Sequence, residues 1–158
     1  MSIRIDYSGQ HVLVTGGAQG IGEAIVTRFA EAGARVTLAD INGDQATRVA
    51  EKLTAEGHRV QAYAVDLSDE ATTRAMIAVS DPIDVLVHNA GYFPLTPFED
   101  LSRDQVERTF AVNVQSLFWM TQALLPSFKQ KGQGVILCTS SVTGNRVAYP
   151  GLTHYAAS

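Results

Sequence analysis

Short apolar runs alternate with amphipathic stretches along this chain. Val12, Leu13 and Val14 form a near-continuous apolar run, the pattern of a strand buried on both faces. Behind it, Ile21, Ala24, Ile25 and Phe29 fall on one helical stripe, and Gly33 stands where a helix would stop. The alternation then repeats, with strands expected at 11–15, 35–39, 60–65, 83–87 and 135–139. A second helix, about 43–56, places Ala46, Val49, Ala50 and Leu53 on one face, with Gly57 after it. A third begins behind Ser68, with Asp69 and Glu70 where acids suit the helix dipole, and ends at Asp81-Pro82. The fourth has the clearest start. Ser102 and Gln105 make a capping-box pattern, and Leu101 with Val106 fits a hydrophobic staple. Its stripe runs through Phe110, Val114, Leu117, Phe118, Leu124 and Leu125. Pro126 is expected to kink it before Lys129, Lys131 and Gly132 close it.

Strands alternating with helices predict an α/β fold, a parallel sheet covered on both faces. The doubly wound strand order 3-2-1-4-5 follows, with the turn after the first strand at the central switch point. The apolar runs of the first, fourth and fifth strands predict burial on both faces. Residues 1–158 read as one domain, long enough for a sizeable core. Hydrophobic residues make up 46% and charged ones 18%, a globular balance. The net charge of −4 argues against a nucleic-acid surface. Cys138 is the only cysteine, so no internal disulfide forms. No segment approaches the ~20 apolar residues that span a bilayer, and residues 1–10 carry no apolar signal core. A cytoplasmic protein without membrane, nucleic-acid or metal partners is expected.

The turn after the first strand reads Thr15-Gly16-Gly17-Ala18-Gln19-Gly20-Ile21-Gly22. Glycine supplies backbone conformations that side chains forbid, and bare backbone lets a pyrophosphate approach a helix N-terminus. Strand, glycines and helix together point to a dinucleotide site. Other polar residues fall at the carboxyl ends of the expected strands, where ligands of such sheets bind. Asp40 follows Gly22 at the distance where a carboxylate can accept both ribose hydroxyls of an adenosine, and it would repel a 2′-phosphate. It also reads as a helix-start acid, and Asp66 reads equally well as a loop acid. Asn113 sits on the apolar stripe of the fourth helix, where a buried amide must find partners.

The spacing Thr-Gly-x-x-x-Gly-Ile-Gly resembles the cofactor motif of the short-chain dehydrogenase/reductase family. Further along, Asp66-Leu67 resembles the family's adenine-contacting acid, and Asn89-Ala90-Gly91 its Asn-Asn-Ala-Gly signature. His88 replaces the first Asn of that signature and reads as a structural residue. Ser141-Val142-Thr143-Gly144 and Tyr155-Ala156-Ala157-Ser158 complete the resemblance. It implies an oxidoreductase that moves hydride between a nicotinamide and an alcohol/carbonyl pair. Tyr155 would be the acid/base, Ser141 would hold the substrate oxygen, and Asn113 would hold a water of the proton relay. Gly16, Gln19, Gly20, Ile21, Gly22, Asp40, Asp66, Leu67, Asn89, Ala90 and Gly91 would line the cofactor. Gln19 and Ile41 are neutral where NADP-preferring members carry a base, so the resemblance implies NAD.

The family also places a lysine four residues after the tyrosine, where its charge lowers the tyrosine pKa from about 10. That place would be position 159. The family's fold continues for roughly another hundred residues, so its last strands are expected beyond Ser158. The fifth strand would then be an exposed edge. A homo-oligomer, partly through the fourth helix, or a second chain supplying the remainder is expected. A non-catalytic dinucleotide-binding module is the competing expectation. The loops 92–95 and 145–152 would shape the substrate site, and Arg146 is their only charge. A polyol, a hydroxy-steroid or a 3-oxoacyl group each fits.

Overall fold

The computed structural model describes residues 5–80, 82–144, 146 and 149–158. Asp81, the expected end of the third helix, and Asn145, Val147 and Ala148 of the expected substrate loop lie outside them. The elements run β1 (His11–Thr15), α1 (Gly20–Glu31), β2 (Arg35–Asp40), α2 (Gly43–Ala55), β3 (Arg59–Ala64), α3 (Glu70–Val79), β4 (Val85–His88), α4 (Arg103–Phe110), α5 (Ser116–Lys131), β5 (Val135–Cys138) and α6 (Thr153–Ala156). The five strands form one parallel sheet in the order β3-β2-β1-β4-β5. This is the doubly wound α/β architecture, with β1 at its centre.

Alternate residues of β1 point to opposite faces of the sheet. Val12 and Val14 pack with Val26 of α1 and Val49 and Leu53 of α2. Leu13 packs on the other face with Met76 of α3 and Met120, Leu124 and Phe128 of α5. Every residue of β1 and β4 is buried. β5 lies at the sheet edge beside β4, as expected, but its two faces are not both covered: Ile136 packs on the core, while Val135 and Leu137 are each 47% exposed because no helix among the described residues packs on their face.

Several element details also differ. The inner face of α1 is Gly22, Val26 and Ala30, while Ile21 is 68% exposed and Ala24 is exposed. Gly22 sets this face, because a Cβ there would run into the Gly16 carbonyl. Asp69, not Ser68, caps α3, its side chain accepting from the Thr72 N–H at 2.8 Å. The capping box of Ser102 and Gln105 forms as expected. The long helix is irregular at Ala111–Gln115, a π-helical turn, rather than at Pro126, and α5 runs through Pro126 to Lys131. Pro126 and Gln122 are both exposed, so the carbonyl that loses its partner to proline can turn to water. A π turn adds a residue to the helical period. Beyond it the buried stripe is Ser116, Met120, Leu124 and Phe128, and Phe118 is left 61% exposed. No helix among the described residues is long and apolar enough to cross a membrane.

Candidate functional site

The carboxyl ends of β1, β2 and β4 meet around the glycine turn. Gly16 (φ 65°) and Gly20 (φ 56°) are both in the left-handed region. A Cβ on Gly16 would lie 2.8 Å from Ala90 Cα, so this glycine lets two strand ends close together. A Cβ on Gly20 would meet nothing within 4 Å. Its conformation serves the turn, and the space outside it is open. Gln19 precedes α1 with extended backbone and makes no side-chain cap. Among the described residues no side chain accepts from the first-turn N–H groups of α1, where the positive end of the dipole favours an anion.

The loop is tied to its neighbours by groups that the motif alone did not show. Thr15 Oγ1 accepts from the N–H groups of Asn89 and Ala90, both at 3.1 Å. The Asn89 side chain donates to the Gly16 carbonyl at 3.3 Å and accepts from the Thr139 hydroxyl at 3.1 Å. It thus joins the ends of β1 and β5 to its own strand. Asp40 lies at the end of β2 beside this cradle. One of its oxygens accepts from the Ala18 N–H at 3.0 Å and the other from the Asn42 N–H at 2.9 Å. The helix that follows is capped by Asn42, so Asp40 is not its cap.

Asp66 lies past β3. Its Oδ1 accepts from the Ser68 N–H (2.9 Å) and hydroxyl (2.7 Å), and its Oδ2 from Arg108 (2.9 Å). Partial burial raises its pKa, but the bonds from Ser68 and the Arg108 cation outweigh this and hold it below the usual carboxylate value. Leu67 is 6% exposed and packs into the core, so only its backbone is free to meet a ligand.

His88 ends β4 and is 4% exposed. The Ser116 hydroxyl donates its single proton to the Val112 carbonyl at 2.7 Å. The 2.7 Å contact between His88 Nε2 and Ser116 Oγ therefore has the histidine as donor. Burial brings the His88 pKa from 6.5 down to about 4, so the ring is neutral and braces the π turn. Asn113 stands on that turn. Its side chain pairs with the backbone of Tyr92, accepting from the N–H at 2.7 Å and donating to the carbonyl at 3.1 Å. It also donates to the Ser158 hydroxyl at 2.9 Å, which in turn donates to the Tyr155 carbonyl at 2.8 Å. Asn113 is half-buried rather than buried, and its partners are Tyr92 and Ser158.

Ser141 follows β5 and is half-buried, its hydroxyl accepting from the Thr143 N–H at 3.1 Å. Tyr155 lies on α6, and its ring sits 5.6 Å from that of Phe93. No hydrogen bond joins Ser141 to Tyr155 among the described residues. Sequence reasoning missed Thr15, Arg108 and the π turn. Thr15 begins the glycine motif and was within reach, whereas nothing in the pattern around Arg108 distinguishes it from a surface arginine.

The family model for short chain dehydrogenase matches residues 10–158. The chain belongs to the short-chain dehydrogenase family. It is 39% identical over 155 residues to the oxidoreductase UcpA of Salmonella typhimurium, covering 96% of this chain and 59% of that protein. It is 41% identical over 154 residues to a 4-formylbenzenesulfonate dehydrogenase of Comamonas testosteroni, covering 94% and 61%. Among solved structures, a metagenomic short-chain oxidoreductase in complex with NADP superposes with a TM-score of 0.87 at 29% identity, covering 95% and 69%. This short-chain dehydrogenase chain therefore spans about three fifths of the length of the curated relatives it matches.

Proposed function

We propose that the protein is an NAD-dependent oxidoreductase that interconverts an alcohol and a ketone or aldehyde by hydride transfer. The observation that carries the reading is the Gly16–Gly22 cradle with Asp40 bonded to its backbone. The positive-φ glycines, the open space at Gly20 and the uncapped start of α1 fit a pyrophosphate. Asp40 supports NAD over NADP, because a carboxylate accepts ribose hydroxyls and repels a 2′-phosphate. Asp66, Asn89, Ala90 and Gly91 are the further residues assigned to the cofactor. When bound, the nicotinamide supplies the hydride acceptor or donor.

The chain's own groups supply the rest. Hydride arriving at a carbonyl leaves alkoxide character on oxygen, which needs a proton donor beside it. Tyr155 is assigned that proton, and Ser141 the hydrogen bond that orients the oxygen. Asn113 holds the backbone at Tyr92 and, through Ser158, the backbone carbonyl at Tyr155. Its proposed place in the relay needs that rigidity. Phe118, exposed on α5, supports a homo-oligomer through the long helix.

The test is NADH oxidation against a panel of ketones and aldehydes, and the reverse reaction with alcohols. Tyr155→Phe is expected to lower kcat by at least ~100-fold, and Ser141→Ala to lower it while NAD binding persists. Retained turnover in Tyr155→Phe would remove the tyrosine from the mechanism.

A further inference from the structure

We propose that Arg108 is a positioning residue that couples the adenine end of the cofactor site to the Asn113 clamp beside the reacting groups. The proposal rests on the cofactor reading above for Asp66. Arg108 is on α4, and its guanidinium makes two contacts at once. One is the 2.9 Å bond to Asp66 Oδ2. The other is a cation–π contact, with Cζ 5.4 Å from the centroid of the Tyr92 ring, within the range where the ring quadrupole attracts a cation. Tyr92 is in turn held through both of its backbone polar groups by Asn113. The contacts form an unbroken line: Asp66, Arg108, Tyr92, Asn113, Ser158 and the Tyr155 carbonyl.

Each link has a direction that makes the line useful. Asp66 takes two bonds from Ser68 on one oxygen, so the carboxylate is fixed and Arg108 has one defined place to bind. The guanidinium is planar and can bond a carboxylate at its edge while presenting its face to a ring. A ligand that draws on the Asp66 carboxylate competes for or tightens the Arg108 bond. The change reaches Tyr92 without any ligand contact there. Arg108 is 38% exposed and Asp66 37% at the side chain, so the pair is too exposed to be mainly a stabilising bridge. Its consequence is expected in the order of the Tyr92 segment.

The Tyr92 N–H is itself the clamp bond, so its hydrogen exchange reports the clamp directly. The experiment follows that amide by NMR in the wild-type protein, Arg108→Met and Arg108→Lys, free and saturated with ADP-ribose, which carries the adenine end without nicotinamide. In the free protein, Arg108→Met is expected to speed Tyr92 exchange about tenfold, with amides of β1 unchanged. Saturating ADP-ribose is expected to change Tyr92 exchange in the wild type and not in Arg108→Met, and Arg108→Lys is expected to recover part of the response. A purely structural role would alter the free-state rate alone. Tyr92 exchange unchanged in free Arg108→Met, or a ligand response of Tyr92 that persists undiminished in Arg108→Met, would overturn the proposal. The Kd of ADP-ribose for Asp66→Asn is measured in parallel. A Kd unchanged from wild type would overturn the cofactor reading of Asp66, which the free-state comparison of Arg108→Met does not depend on.

Discussion

His88 gives the fold a weakness at mildly acidic pH. Its ring is 4% exposed, it donates to Ser116, and burial holds its pKa at about 4 against 6.5. Between those values the unfolded chain binds a proton that the folded protein does not. Stability therefore rises with pH through this window and is complete above the unfolded pKa. The whole shift corresponds to roughly 3 kcal/mol, of which about 2 kcal/mol is already lost at pH 5. His88→Gln keeps a side-chain N–H for Ser116 and removes the titration. Urea unfolding should show the wild-type protein losing about 2 kcal/mol more than the variant between pH 7 and pH 5. The comparison cancels the other histidines and the carboxylates, which titrate in both proteins. Equal losses would show that His88 accepts a proton in the folded state at little cost, and would refute the bracing of the π turn by a neutral ring.

Other outcomes follow from the same geometry. Partial burial raises the pKa of Asp84, but Lys131 at 2.6 Å and the His11 N–H hold it below its usual 3.8. Its contribution to stability is present above about pH 4 and is lost as pH falls through the lowered value, so Lys131→Met should move the acid-unfolding midpoint upward, at a cost of about 1–2 kcal/mol near neutrality. Gly20→Ala meets no atom but must hold a positive φ. It should cost about 1–2 kcal/mol in thermal unfolding and weaken NAD binding by much more than that loss, as read by calorimetry.

Where the pattern was strong, the sequence was a good guide to the fold. The alternating apolar strands and the inward face of α2, Ala46, Val49, Ala50 and Leu53, appear as read, because burial on a regular period leaves little choice of side. The misreadings of which helix face turns inward share one cause, a local contact that overrides period. Gly22 against the Gly16 carbonyl turns Ile21 outward, and the π turn at Ala111–Gln115 shifts the stripe of the helix after it. Neither appears in a hydrophobicity pattern. Within the site, the placement of the glycines and of Asp40 beside them was legible, because backbone geometry at the turn constrains residue type and the strand end fixes where the carboxylate stands. The clamp of Asn113 on Tyr92 was half legible: the amide demanded partners, but their identity depended on a loop whose course periodicity does not predict. Arg108 was not legible at all, since its two contacts, Asp66 and Tyr92, come from distant segments.

The proposal that stands or falls first is selection of NAD over NADP by Asp40. Calorimetric titration of NAD and NADP into the wild-type protein and into Asp40→Ala tests it most directly. The wild type is expected to bind NAD at least ~10-fold more tightly, a difference of about 1.4 kcal/mol. The gap should narrow in Asp40→Ala, mainly through weaker NAD binding. Equal affinities in the wild type, or tighter binding of NADP, would contradict it.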